Sequence, residues 1–122
     1  MSQGITSYRD LIVWQKALEL ARLVYEITRR FPREELYGLT SQMKRAALSV
    51  PANIAEGAAR TGPREFAHHI SIARGSLAEL ETLSELAHSF GYEFDLGAVV
   101  HGIDEIERML EALRQSLFRR NP

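Results

Sequence analysis

The side chains best equipped for chemistry in this sequence are four histidines, His68, His69, His88 and His101, set among sixteen acidic residues and no cysteine. Histidine with carboxylate suits a metal centre. In helical bundles the recurring form is a Glu-x-x-His pair on each of two helices plus two further inward glutamates. Glu85-Leu86-Ala87-His88 supplies that spacing once, no second copy exists, and Glu85 projects to the polar side of its helix. His101 with Glu105, and Glu65 with His69, stand four apart and read as exposed helical pairs. The absence of cysteine removes thiolate zinc sites and thiol nucleophiles. Between Gly57 and Gly62 there is neither the spacing nor the lysine of a phosphate-binding loop, and no serine constellation appears. The expectation is a protein that is not an enzyme, with no metal and no cofactor.

These residues ride on four stretches of helical periodicity. With 122 residues, 45% apolar and 25% charged, the chain has the make-up of one folded domain, 1–122, rather than a disordered tail. No basic-then-apolar leader opens it, and no apolar run approaches the roughly 20 residues of a membrane span, so a soluble cytoplasmic protein is expected. Helices are predicted at about 11–30, 39–59, 63–90 and 95–119. The first ends before Phe31-Pro32, and the third opens with Pro63 in its first turn and closes at Gly91. Asp95 caps the fourth. Pro51 falls inside the second, where the register Leu39, Met43, Ala47, Val50, Ile54 continues past it and predicts a bend rather than a break. Short connections favour an all-α, up-down-up-down antiparallel four-helix bundle.

Helix 1 carries more apolar surface than one buried face requires. Trp14, Ala17, Leu18, Leu20, Ala21, Leu23, Val24, Tyr25 and Ile27 cover an arc of roughly 220°, against a little over 100° for an ordinary surface helix. Trp14, Ala17, Leu20 and Val24 are therefore candidates for an oligomer interface. On helix 3 a line of small residues, Ala67, Ser71, Gly75, Ala78 and Thr82, leaves room for another helix to press close.

Particular residues then match a known pattern. Tyr8-Arg9-Asp10-Leu11, Val13-Trp14-Gln15-Lys16-Ala17 and Tyr37-Gly38-Leu39-Thr40-Ser41-Gln42-Met43-Lys44-Arg45-Ala46-Ala47 follow one another in order. Ser49-Val50-Pro51-Ala52-Asn53-Ile54-Ala55-Glu56-Gly57 and Ala73-Arg74-Gly75-Ser76-Leu77-Ala78-Glu79-Leu80-Glu81 continue the match. From about Tyr8 to the last helix the chain resembles the bacterial four-helix bundle proteins called 23S rRNA intervening-sequence proteins. The resemblance implies a ring-shaped homopentamer in which each bundle packs against two neighbours. It also implies a relation to the accessory variability proteins of diversity-generating retroelements, which bind a reverse transcriptase and nucleic acid. Structured RNA, DNA or a nucleic-acid-processing protein are the partners it suggests, and a protein-only adaptor or scaffold ring is the alternative.

Two sets of polar residues follow. Arg45, Asn53, Glu56, Arg74 and Glu79 lie in the matched blocks on helices that look buried on several sides. Since buried charge must be paired, they read as a structural polar network fixing helix or subunit register, with a ligand or RNA contact as the alternative. The second set comes from charge placement. The net charge of −1 hides a net +4 over residues 1–74 and −5 over 75–122. In an antiparallel bundle Arg9, Arg60, Arg64, Arg114, Arg119 and Arg120 converge at one pole, with His68 and His69 nearby and Asp10, Glu56 and Glu65 as offsets. Repeated around a ring, they form a candidate phosphate-binding surface. The negative net charge, and the lack of stacking aromatics interleaved with these arginines, weigh against nucleic-acid contact at this pole.

Overall fold

Each helix starts and stops where the sequence supplies a local reason. The computed structural model describes residues 7–60 and 62–119. Four helices, α1 (Ile12–Thr28), α2 (Leu39–Ala58), α3 (Pro63–Ser89) and α4 (Leu96–Leu117), are accompanied by short 3-10 turns at Tyr8–Asp10 and Arg33–Glu35, with no strand among the described residues. Helix α1 ends two residues before the expected limit, and the Thr28 hydroxyl folds back to donate to the Val24 carbonyl at 2.9 Å. Helix α3 starts on Pro63, whose missing N–H would have had no partner in the first turn. Its far end is a left-handed cap: Gly91 has φ 92°, its N–H donates to the His88 carbonyl, and the Tyr92 N–H reaches the Ala87 carbonyl. The Asp95 side chain accepts from the Ala98 N–H at 3.0 Å and opens α4. Pro51 is buried inside an uninterrupted α2.

Helix α2 packs between α1 and α3, and α4 between α3 and α1, so four seams enclose one core. Met43, Val50 and Ile54 of α2 are fully buried there, with Val24 of α1, Ile70, Leu77 and Leu80 of α3 and Val99, Ile106 and Leu110 of α4. The α2–α3 seam is the most extensive and the α1–α4 seam the sparsest. In the first, Ser49 meets Ser76 while Asn53 meets His69, so pairing descends α3 as it climbs α2.

Part of the surplus apolar arc of α1 is used inside the chain. Ala17, Leu20 and Val24 are buried in the core, which corrects their reading as outward interface residues. The physical reason is that α1 meets two neighbours, α2 and α4, and so buries a wider arc than a helix resting on one surface. What remains outside on α1 is half-buried Trp14, Leu18 and Tyr25, and α2 adds an exposed Leu48. The line Ser71, Gly75, Ala78 and Thr82 on α3 is exposed.

Two helical glycines differ in what surrounds them. A Cβ on Gly57 would lie 2.8 Å from His69 Cβ and 2.9 Å from Phe66 Cδ1, closer than carbon atoms tolerate, whereas a Cβ on Gly75 would meet nothing. Gly75→Ala is expected to stabilise the fold by about 0.5–1 kcal/mol through helix propensity. Gly57→Ala forfeits that gain to overpacking and should fall about 1–3 kcal/mol below it. Chemical denaturation of the two variants checks the difference, and equal stabilities would refute the close approach.

Candidate nucleic-acid interface

The start of the described chain is strapped onto α1. Ser7 Oγ accepts from the Arg9 N–H at 3.1 Å, and Gln15 Nε2 donates to the Arg9 carbonyl at 2.8 Å. This holds the Tyr8 ring edge-on to Trp14, with ring centres 5.1 Å apart, and brings the Arg9 guanidinium to 5.2 Å from the Tyr8 ring centre. Beside it opens a cleft of about 480 Å³ lined by Ser7, Tyr8, Leu11, Ala58, Ala59, Phe66 and Leu113. The cleft joins the beginnings of α1 and α3 to the ends of α2 and α4, the four element ends that bear the predicted arginines.

Arg9, Arg60 and Arg114 are the immediate neighbours in sequence of the lining residues Tyr8, Ala59 and Leu113, and Arg64 precedes Phe66 by two. Arg119 lies just beyond α4 and is exposed, and Arg120 falls outside the described residues. The arginines differ in their charge partners. Arg60 pairs with Glu56 at 3.0 Å and approaches Glu65 at 4.0 Å. Arg114 holds Glu111 through two hydrogen bonds of 3.1 and 2.8 Å. Arg9, Arg64 and Arg119 pair with no described carboxylate, so the basic character of this pole rests mainly on them. The reading that no aromatic accompanies these arginines is corrected: Tyr8 and Phe66 both line the cleft. Their positions one and two residues from Arg9 and Arg64 in sequence were the available signal. Only packing shows that two rings 58 positions apart line one cleft.

The five residues of the expected polar network fall into three places. Asn53 is half-buried in the α2–α3 seam, where its Nδ2 donates to the Ser49 carbonyl and Oγ at 2.9 and 3.0 Å. That orients Oδ1 toward His69, whose Nδ1 therefore carries the proton and donates at 3.0 Å. Ser76 Oγ extends the row by donating to Ser49 Oγ at 2.8 Å. Glu56 sits at the outer end, with a 53% exposed side chain, 4.0 Å from His69 Nδ1. His69 thus faces α2 instead of pairing with Glu65. Arg74 belongs to the other side of α3, bridging Glu107 and Glu111 of α4 at 2.9 and 2.7 Å. Bonds from Arg114, Gln115 and Arg74 hold the Glu111 carboxyl down at about 2, and Glu107 and Glu111 hold the Arg74 guanidinium above its ordinary range. Arg45 and Glu79 are exposed on a shallow groove with Gln42, Ser49 and Ser76. Burial of Arg45, Glu56 and Glu79 is thus a second correction. They lie on the outer flanks of the seams, where the small residues of α2 and α3 leave polar side chains open to water.

A family model for 23S rRNA-intervening sequence proteins matches residues 9–112. The chain belongs to that family. The match covers both the Asn53–Gly57 block of the α2–α3 seam and the walls of the cleft from Leu11 to Ala59 and Phe66, ending one residue before Leu113. No curated protein matches the chain. Among the described residues no group of three or more histidine, aspartate or glutamate side chains gathers in metal-binding geometry, and no helix is long and apolar enough to cross a membrane.

The two seam residues separate in expected cost. Asn53→Ala strands the His69 Nδ1 proton and one lone pair of Ser49, and should lower unfolding free energy by about 1–3 kcal/mol. Glu56→Ala removes only a solvent-screened pair and should cost less than about 1 kcal/mol. Urea titrations of the two variants decide this, and a larger loss in Glu56→Ala would overturn the assignment of the seam to Asn53.

Proposed function

We propose that the chain is a non-enzymatic, cytoplasmic binding module: an up-down-up-down antiparallel bundle that assembles into a homopentameric ring and binds nucleic acid, structured RNA first, at the arginine-bearing pole. The carrying observation is that one cleft is lined from four helix ends, with Arg9, Arg60 and Arg114 next in sequence to its lining residues, Arg64 two positions before Phe66, and Arg119 just beyond α4. Guanidinium groups fork onto phosphate oxygens and release counterions, so even a few of them give salt-dependent affinity. The family's name, which refers to an intervening sequence of 23S rRNA, fits an RNA setting. Opposed pairing along the α2–α3 seam supports the antiparallel arrangement. Ring assembly is supported by the apolar residues Trp14, Leu18, Tyr25 and Leu48, and by the open small-residue line of α3, which offers another helix a close approach.

A protein-only adaptor is the second reading, favoured by exposed Leu36, Tyr37 and Phe90 away from the cleft. Such a surface would suit a protein partner, including a nucleic-acid-processing enzyme such as a reverse transcriptase.

Neutralising Arg60, Arg64, Arg119 and Arg120 to glutamine should weaken RNA binding by at least about tenfold at low salt and flatten the dependence of affinity on salt. Fluorescence anisotropy across a salt series measures both. Binding that is absent at low salt, or tight and unchanged at high salt, would contradict the arginine model.

A further inference from the structure

Resting on the nucleic-acid reading, we propose that the cleft lined by Tyr8 and Phe66 is a stacking slot for an unpaired nucleobase, so that the part of the ligand engaged at this pole is single-stranded rather than duplex. Its volume of about 480 Å³ falls within the range of about 300–1,000 Å³ typical of small-molecule pockets, and its mouth is open to solvent. The lining is mainly apolar: Leu11, Ala58, Ala59 and Leu113 supply aliphatic walls, and Tyr8 and Phe66 supply rings. Ser7 Oγ already accepts from the Arg9 N–H. With so few polar groups, the slot can grip the flat face of a base but has little means of reading its edges, so it discriminates poorly among sequences.

The surroundings narrow the occupant further. A purely apolar guest would leave the arginines beside the cleft unmatched, whereas a nucleotide chain alternates a planar apolar group with an anionic phosphate. The cleft offers both kinds of group: its rings are Tyr8 and Phe66, the Arg9 guanidinium lies 5.2 Å from the Tyr8 ring centre, and Arg64 stands two positions before Phe66 in the chain. Half-exposed Phe118 next to Arg119 repeats the pair at the end of α4. In a duplex the base faces are covered by their neighbours in the stack, so only unpaired residues can enter. The slot also has built-in order. The turn bearing Tyr8 is tied down by Ser7 and by Gln15, and the ring is braced on Trp14, so stacking does not first have to order a loose loop.

The test uses the full chain and a strand of about 12 nucleotides carrying one 2-aminopurine, presented as RNA, as DNA of the same sequence, and as the matching duplexes. Single strands of either sugar should bind at least about tenfold more tightly than duplexes, with quenching of the 2-aminopurine emission as the base stacks. Tyr8→Leu keeps the wall apolar but removes the ring. It should cut single-strand affinity by about tenfold and abolish part of the quenching, while duplex binding stays unchanged. Phe66→Leu should do the same, but Phe66 also packs on the core, so the Tyr8 variant and thermal melts of both guard against a folding defect. Equal affinity for strands and duplexes, or a Tyr8→Leu protein indistinguishable from wild type, would overturn the stacking slot while leaving phosphate binding by the arginines intact. Failure of every nucleic acid to bind at low salt would overturn both readings.

Discussion

The closeness of α2 to α3 at Gly57 is the constraint on which the rest of the molecule depends. With no Cβ at that position, the α2 backbone comes up against the His69 Cβ and the Phe66 ring of α3. The contact sets how far the helices slide along each other. That register brings Asn53 to His69 and Ser49 to Ser76, giving the polar groups of the seam their partners. It also holds Ala58 and Ala59 beside Phe66, forming one wall of the cleft. One missing methyl group thus joins the packing of the seam to the shape of the candidate site. The seam's neutral hydrogen bonds give direction to the contact, and close packing supplies most of its energy.

Charge acts locally. The bundle is nearly neutral, yet its carboxylates do not quench its arginines evenly. Glu111 draws Arg74 and Arg114 into one cluster across α3 and α4, and Glu56 and Glu65 attend Arg60. Arg9, Arg64 and Arg119 keep their charge turned to solvent, next to or near aromatic side chains. Surface pairs of this kind contribute little to stability, so their consequence lies in which cations stay available to an anionic ligand. The opposite end is organised differently: the Tyr92 hydroxyl donates to Glu35 at 2.7 Å, and its ring packs on Phe31 and Phe90.

Much of the fold was legible because it is written in local terms. The proline of α3, the left-handed glycine after it and the aspartate cap of α4 act within a few residues, and the apolar register across Pro51 marks a continuous helix. The matched blocks named the family for the same reason, being contiguous. What was not legible depends on which faces meet. Ala17, Leu20 and Val24 look like surplus on a helical projection until α4 is placed beside α1. Arg45, Glu56 and Glu79 look buried because their helices are rich in small residues, yet each points along an outer flank. The presence of Tyr8 and Phe66 in one cleft arises only when the beginnings of two helices and the ends of two others come together, and no spacing in the sequence encodes that meeting.

Everything proposed of this molecule turns on whether the pole where these four ends converge is its functional surface. Chemical-shift mapping of isotopically labelled protein titrated with an unlabelled RNA strand at low salt tests it most directly. The largest shifts are expected on Tyr8, Ala58, Ala59, Phe66 and Leu113. Shifts centred instead on Leu36, Tyr37 and Phe90, or no shifts at all, would contradict it.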